Sequence, residues 1–243
     1  MLARYQIDAN WRLRLLNHFV ILDRDDTVLD AGCGDGFIST EVAGRVRRVV
    51  GADADRKIIE YNKKEAMVAN LEFECADITD ARGAERLAGK GPFTKIICLD
   101  ALEHMDEPAK AIGNMALLLK LGGEVFITVP VEGEHGHRVE PGAVEGALRK
   151  NSMRVTLIKR IGYPPITAFI KRVLMGLQTL AGYAPKETDR FSETASFALE
   201  KRNPPLLRLY KLLFVLVIRP LTMFEPRPFR ESGGHLVVMA RKE

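Results

Sequence analysis

The sequence predicts an open α/β sheet, and three observations carry that prediction. Short β-rich apolar runs recur up to about residue 163. Stretches with helical spacing separate them. A glycine-rich turn, "DAGCGDGF", follows the first run directly. Alternating strands and helices build parallel sheets through crossover units. In such sheets ligands sit at the carboxyl ends of the strands, where glycine turns let backbone approach them closely.

The elements follow in order. Strands are expected at "TVLDA" (27–31), "RVVGAD" (48–53), "LEFECA" (71–76), "KIICLD" (95–100) and "EVFITVP" (124–130). Most are apolar on both faces, which fits buried parallel strands. "DRKIIEYNKKEAMVAN" places Ile58, Ile59, Met67 and Val68 near helical spacing, with Asp55 as N-cap. "EPAKAIGNMALLLKLGG" starts with Pro108 in its first turn and is expected to stop at Gly122-Gly123. A helix at about 141–150 and a strand, "MRVTLIKRIG", come next. The alternation then lapses for about 70 residues, and the chain closes on a strand-like "HLVVMARK" at 235–242.

A chain of 243 residues suits one domain with embellishments. Hydrophobic content of 47% and charged content of 28% exclude a disordered chain. Cys33, Cys75 and Cys98 are scattered in apolar or glycine-rich surroundings, which favours buried thiols over metal or redox roles. No stretch reaches the ~18–20 apolar residues of a spanning helix, and "MLARYQIDANWRLRLL" lacks a signal-peptide core. A reducing, cytoplasmic location is expected. The net charge of +4 is uneven: from Pro164 onward 13 Lys+Arg face 7 Asp+Glu, leaving 23 against 25 in residues 1–163. The basic third points to an anionic surface as partner, or to a solvated basic face.

The glycine turn has the spacing D-x-G-x-G-x-G over Asp30, Gly32, Gly34 and Gly36. The dinucleotide fingerprint would need a small residue where Phe37 stands, and no Gly-Lys-Ser/Thr follows to make a phosphate loop. Asp30 and Asp35 would also repel a pyrophosphate. A cationic ligand suits this acidic turn better.

Together these segments resemble the class I S-adenosylmethionine-dependent methyltransferases, especially the small-molecule branch that includes quinone-ring methyltransferases. "VLDAGCGDG" looks like the family's first motif, and "VVGADAD" ends its strand in Asp53. "CADI" places Asp77 where the family's adenine-contacting acid lies. "IICLDALEHM" resembles the fourth-strand motif. "LLLKLGGEVFITVP" resembles the fifth, with Leu121 in place of the usual proline. The resemblance implies a Rossmann-like, seven-stranded, mostly parallel sheet with an antiparallel last strand. It implies a methyltransferase domain of residues 1–163 plus 235–243, and a helical insertion at 164–234. The implied cofactor is S-adenosylmethionine, held by Asp30, Gly32, Cys33, Gly34, Asp53, Ala54, Asp77, Ile78, Leu99 and Asp100. Asp53 would accept hydrogen bonds from the ribose hydroxyls, Asp77 from the adenine amino group, and Asp30 would face the methionine ammonium directly or through water. Leu99 to Ala101 would line the adenine or methionine side.

Methyl transfer from a sulfonium needs alignment, and a hydroxyl acceptor must also lose its proton. Histidine is the natural base. His104 after the fourth strand is favoured, then His137 and His135 in "EGEHGHR". That segment, with Glu132 and Glu134, could also be read as a metal site, but unliganded loop histidines are expected. "NWRLRLL" should start a helix over the cofactor; Arg12 or Arg14 would clamp the methionine carboxylate or stay in solvent.

The insertion holds two helical patterns. In "ITAFIKRVLMGLQTLAGY", Ile166, Phe169, Ile170, Val173, Leu174, Leu177 and Leu180 share a face. In "PPLLRLYKLLFVLVIRP", Leu206, Leu209, Tyr210, Leu213, Leu216 and Val217 make one stripe, with Arg208, Lys211 and Arg219 opposite. Such helices pack as a cover over the substrate or lie in a membrane interface. The expected acceptor is a hydrophobic or lipid-linked small molecule methylated at oxygen, met at a membrane surface with the protein peripheral on its inner face. The alternatives are a nucleic-acid methyltransferase or a non-catalytic binding subunit of the same fold. Nucleic acid is disfavoured, because "DALE" lacks the proline-aromatic motif of enzymes that methylate base amino groups.

Overall fold

A computed structural model describes residues 7–65, 67–131, 139–180, 208, 211–223, 228–231 and 233–243, without the side chains of 175–180. The chain divides into two compact units. One comprises Phe19–Ile161 and Ser232–Glu243; the other comprises Leu2–His18 and Gly162–Glu231.

The first unit is built on seven strands: β1 (Thr27–Ala31), β2 (Arg48–Asp53), β3 (Leu71–Cys75), β4 (Phe93–Leu99), β5 (Leu119–Pro130), β6 (Met153–Gly162) and β7 (His235–Lys242). Their order is β3-β2-β1-β4-β5-β7-β6. The first five run parallel, and β7 runs antiparallel to both β5 and β6. This is the expected sheet, and burial explains its strands. β1 buries four of its five residues and the end of β4 is equally enclosed, so both read as unbroken apolar runs. β3 lies at one edge and is only partly buried; β6 alternates exposed and half-buried residues over most of its length.

The helices of this unit are α2 (Phe37–Ala43), α3 (Arg56–Glu65), α4 (Ala81–Ala88), α5 (Pro108–Leu118) and α6 (Pro141–Lys150). Asp55 caps α3 by accepting from the Lys57 N–H at 2.8 Å. The helix ends at Glu65, earlier than its apolar spacing predicts, and Met67 stands 97% exposed. α4 was not foreseen. Asp80 caps it through the N–H groups of Arg82 and Gly83, and Gly83 packs so closely that a Cβ there would collide with the Asp77 carbonyl.

The fifth strand corrects a second expectation. The helix before it stops at Leu118, not at the glycine pair, and β5 already begins at Leu119, paired with Phe93. The register shifts between Phe93 and Lys95. Gly122 takes up the irregularity at φ 73°, and a Cβ on Gly123 would stand 2.9 Å from the Lys120 carbonyl oxygen. The pair therefore makes a kink within a strand, where only glycine fits.

Phe93, Ile96, Leu29, Leu102, Ile127 and Val238 lie in one buried core cluster. Truncating a buried phenylalanine such as Phe93 costs about 3–5 kcal/mol, a large share of a domain's net stability of about 5–15 kcal/mol.

The second unit is helical: α1 (Ile7–Phe19) up to His18, α7 (Pro165–Leu180) and a helical stretch over 211–223 with π geometry at Phe214–Ile218. Ile7, Phe214 and Ile218 form its core cluster, with Ile170 and Leu174 packed against it. The face turned inward is thus Phe214, Ile218 and the buried Thr222, spaced four apart. Leu213, Leu216 and Val217 of the expected stripe are exposed instead. Polar contacts tie the unit together. Tyr163 Oη donates to Asp8 at 2.8 Å, and Lys171 Nζ lies 2.9 Å from the same carboxylate. Trp11 Nε1 donates to the Pro228 carbonyl at 2.7 Å.

Candidate functional site

The strand order reverses between β1 and β4, the switch point at which open α/β sheets bind ligands. The glycine turn crosses that point. Gly32, Gly34 and Gly36 have φ of 79°, 51° and 73°, backbone that L side chains avoid. The N–H groups of Gly32 and Cys33 both donate to the Ala52 carbonyl, at 2.8 and 2.9 Å, so the turn is tied to the end of β2. A Cβ on Gly32 would stand 2.5 Å from the Cβ of Ala101, in the segment after β4. The glycine therefore brings two loops of the rim into contact.

Asp53 faces this turn. Its Oδ2 accepts from the Gly34 N–H and its Oδ1 from the Asp55 N–H, both at 3.0 Å. Burial pushes its carboxyl above the usual range, and the N–H groups of Asp55 and Gly34 offset that only in part. Asp30 is buried at the end of β1 and accepts from Ser39 Oγ at 2.6 Å. Asp35 accepts from the Phe37 N–H at 3.2 Å. Phe37 itself is buried as the first residue of α2.

The buried thiols report the local field. Cys33 is held well above its ordinary value by burial first, then by Asp30, Asp53 and Asp35. Cys98 is pushed up by burial, then by Glu103, Asp30 and Asp100. Five carboxylates thus converge on the carboxyl ends of β1, β2 and β4. Both cysteines stay neutral thiols, and all three cysteines are free. Such a rim attracts a cation and opposes a phosphate.

Asp77 is exposed, and its Oδ1 accepts both the N–H and the hydroxyl of Thr79, at 2.8 and 2.7 Å. One of its oxygens is therefore engaged in closing its own turn. Ile78 is a core residue whose carbonyl accepts from Asn114 Nδ2 at 2.6 Å. Ala54 is exposed beside Asp53, and Leu99 is buried at the end of β4. Asp100 has φ 49°, rare for a residue with a side chain. Thr128 holds it there: its hydroxyl donates to Asp100 Oδ1 at 2.6 Å and its carbonyl accepts the Asp100 N–H at 2.9 Å.

His104 ends a short 3₁₀ turn, Leu102–His104, with its side chain 41% exposed and its Nε2 3.9 Å from Glu103 Oε1. His135, His137, Glu132 and Glu134 lie outside the described residues. Among the described residues no group of three or more His, Cys, Asp or Glu is arranged for a metal ion. Arg14 donates to the Thr222 carbonyl within the helical unit. Arg12 is among the groups that lower the Asp8 carboxyl, after Lys171 and Tyr163; burial opposes all of them.

Three residues of the rim escaped the sequence reading. Asn62, fully buried on α3, anchors the turn by donating from Nδ2 to the Gly34 carbonyl at 2.7 Å. A polar residue three places after Ile59, on the helix's buried side, was its signal. Thr128 and His235 are the others. His235 opens β7, and an antiparallel last strand begins at the same edge where the parallel strands end.

Sheet order and rim together define an α/β domain of the class I methyltransferase type. A profile described as "Methyltransferase domain" matches residues 22–158, more than half of the sequence, and the chain belongs to that family. The ubiquinone biosynthesis O-methyltransferase of Stutzerimonas stutzeri is 35% identical over 103 residues, 42% of this chain and 43% of that protein. The chain thus spans about half the length of the curated relatives it matches. Among solved structures, the [4+2]-cyclase SpnF aligns with a TM-score of 0.61 at 17% identity, over 96% of this chain and 80% of its own. The YcgJ protein of Bacillus subtilis aligns with a TM-score of 0.58 at 14% identity, over 96% and 99%. At these identities both share the fold, and the cyclase marks how far chemistry varies on it.

Proposed function

We propose that this protein transfers the methyl group of S-adenosylmethionine to an oxygen of a hydrophobic or lipid-linked small molecule. The observation that carries this reading is the left-handed glycine turn with Asp53 facing it, its Oδ2 accepting from the Gly34 N–H at 3.0 Å. The residues present fit a ligand bearing a sulfonium, an ammonium and a ribose. Asp53 would accept from the ribose hydroxyls, whose donors would ease the cost of its burial. Gly32, Cys33 and Gly34 would pass close to the methionine moiety, with Asp30 beneath. Ala54, Asp77 and Ile78 would border the adenine, and Leu99 and Asp100 the opposite wall. Bound there, the cofactor supplies a methyl group on a good leaving group. The chain's own task is then to align the acceptor, exclude water and remove a hydroxyl proton. The sequence points to His104 or His137 for that proton.

Oxygen as the methylated atom and a lipid-linked acceptor are supported by the quinone-pathway O-methyltransferase among the relatives. A location on the inner face of a membrane is supported by the exposed apolar side chains of α7 and residues 211–223. Titration calorimetry tests the core of the reading. Wild-type protein should bind S-adenosylmethionine saturably, and Asp53→Ala should weaken it at least tenfold, since a hydrogen bond to a charged group contributes about 1.5–3 kcal/mol. No binding, or binding that Asp53→Ala leaves unchanged, overturns it.

A further inference from the structure

Asp100, Thr128 and His235 meet at the rim, and the sequence pattern gave them no joint role. Asp100 is held at φ 49° by three contacts to Thr128: its N–H reaches both the Thr128 carbonyl and Oγ1, at 2.9 and 3.1 Å, and its Oδ1 receives the hydroxyl at 2.6 Å. A non-glycine residue kept in this region costs about 1–3 kcal/mol and persists where its surroundings over-determine it. Thr128 is fully buried, so it offers that carboxylate little freedom. The other oxygen, Oδ2, lies 3.9 Å from His235 Nε2, and both side chains are largely shielded, at 15% and 14% accessible.

Register puts Thr128 and His235 on one face of the sheet, and the hydrogen bonds to Thr128 bring Asp100 to them. His235 pairs with Pro130, and Thr128 is two residues before Pro130 on the same strand. Because β7 is antiparallel, its first residue stands beside the last residue of β5. It therefore reaches the carboxyl edge, where the parallel strands deliver their loops.

We propose that His235, beside an Asp100 carboxylate that Thr128 holds in place, is the base that takes the acceptor's proton. The inference rests on the methyl-transfer reading above and names a residue for its proton step. The acceptor O–H bond breaks and its proton passes to the imidazole. The oxygen lone pair forms the O–CH₃ bond as the S–CH₃ bond breaks, leaving the thioether. The imidazolium so formed is met by the Asp100 carboxylate, while Thr128 keeps that carboxylate aimed. His104 is the more solvated alternative, with its side chain 41% exposed.

Among the described residues, the partners of His235 across β5 and β6 are Pro130 and Ile161, neither of which titrates. Lys159 lies one pair further along the same face, and Asp100 Oδ2 lies 3.9 Å from the ring nitrogen. Removing a carboxylate from beside an imidazole disfavours the protonated ring, which sets the sign of the test.

The test uses the full chain, an alkyl-substituted catechol as acceptor probe, and nuclear magnetic resonance titration of the histidines without acceptor. His235→Gln should lower turnover about 100-fold or more, abolish the acid limb of the kcat/KM profile, and leave S-adenosylmethionine affinity unchanged. Asp100→Asn should move the His235 titration and the acid limb to lower pH. Thr128→Val should do so more weakly. Wild-type turnover in His235→Gln, or a His235 titration that Asp100→Asn leaves in place, overturns the inference. Loss of S-adenosylmethionine binding by the wild-type chain would instead remove the reading beneath it.

Discussion

Gly32 is where the rim depends most on a missing atom. Its φ of 79° already disfavours a side chain, and a Cβ would meet that of Ala101 at 2.5 Å. The left-handed backbone costs an alanine about 1–2 kcal/mol, and overpacking adds about 1–3 kcal/mol. Gly32→Ala should therefore lower stability by about 2–5 kcal/mol in urea titrations monitored by circular dichroism. It should also weaken S-adenosylmethionine binding, because relief of the clash must part the turn from the segment after β4. This dependence was legible in the sequence, since glycine at three alternate positions after a strand has few other uses. Asp53 was legible for a similar reason: a strand's last residue sits at the ligand edge. Asn62, Thr128 and His235 were not, because each acts through register or tertiary contact rather than spacing. His235 needed the direction of β7, and Asp100 needed its backbone angle. Asp77 was read for its position, while its Oδ1 also serves its own turn.

Strands and helices divide by how local their causes are. The outline β1 to β7 followed from apolar runs, and α6 and β6 follow the expected boundaries. The start of β5 did not, because Leu119 is drawn into the sheet by Phe93, 26 positions earlier in sequence. No window of helical spacing contains that partner. The edge near β3 offers a prediction of its own. Glu72 on β3 receives hydrogen bonds from Lys90 and from Arg48 on β2, and Arg48 also donates to the Lys90 carbonyl at 2.8 Å. Lys90 first and Arg48 second hold the Glu72 carboxyl below its ordinary 4.5. A depressed carboxylate contributes stability above its unfolded value and loses it as pH falls below that value. Glu72→Gln should therefore flatten the fall in stability below about pH 4.5. Its side chain is 38% accessible, so solvent screening limits the loss at neutral pH to under about 1 kcal/mol. Urea midpoints measured from pH 3 to 7 check both parts; an unchanged acid slope would assign the edge's stability to backbone pairing alone.

The molecule as a whole divides its surface chemistry between two units. Of the fifteen large hydrophobic side chains that stand exposed among the described residues, ten lie on α7 and residues 211–223. Phe169 is 69% exposed, Leu216 64% and Leu212 56%. The same segments carry Lys171, Arg172, Lys211 and Arg219, within the third of the sequence that holds the excess positive charge. Apolar side chains beside basic ones suit the interface of an anionic bilayer, where each lysine or arginine contributes about 1 kcal/mol. No described helix is long and apolar enough to cross a membrane. A 13-residue helix spans ~20 Å, against ~30 Å of hydrocarbon, so the contact would lie along the surface. The full chain should float with vesicles containing phosphatidylglycerol, less with pure phosphatidylcholine, and less again at high salt. Fully burying a leucine or phenylalanine is worth about 1.5–3 kcal/mol, so Phe169→Ser with Leu216→Ser should reduce vesicle affinity at least tenfold. S-adenosylmethionine affinity should not change, because neither residue is among those assigned to the cofactor. If the double variant floats as well as wild type, these helices face something other than lipid. A steep salt-dependent shift with RNA and none with vesicles would make the basic third a nucleic-acid surface, and the acceptor would then have to be sought there.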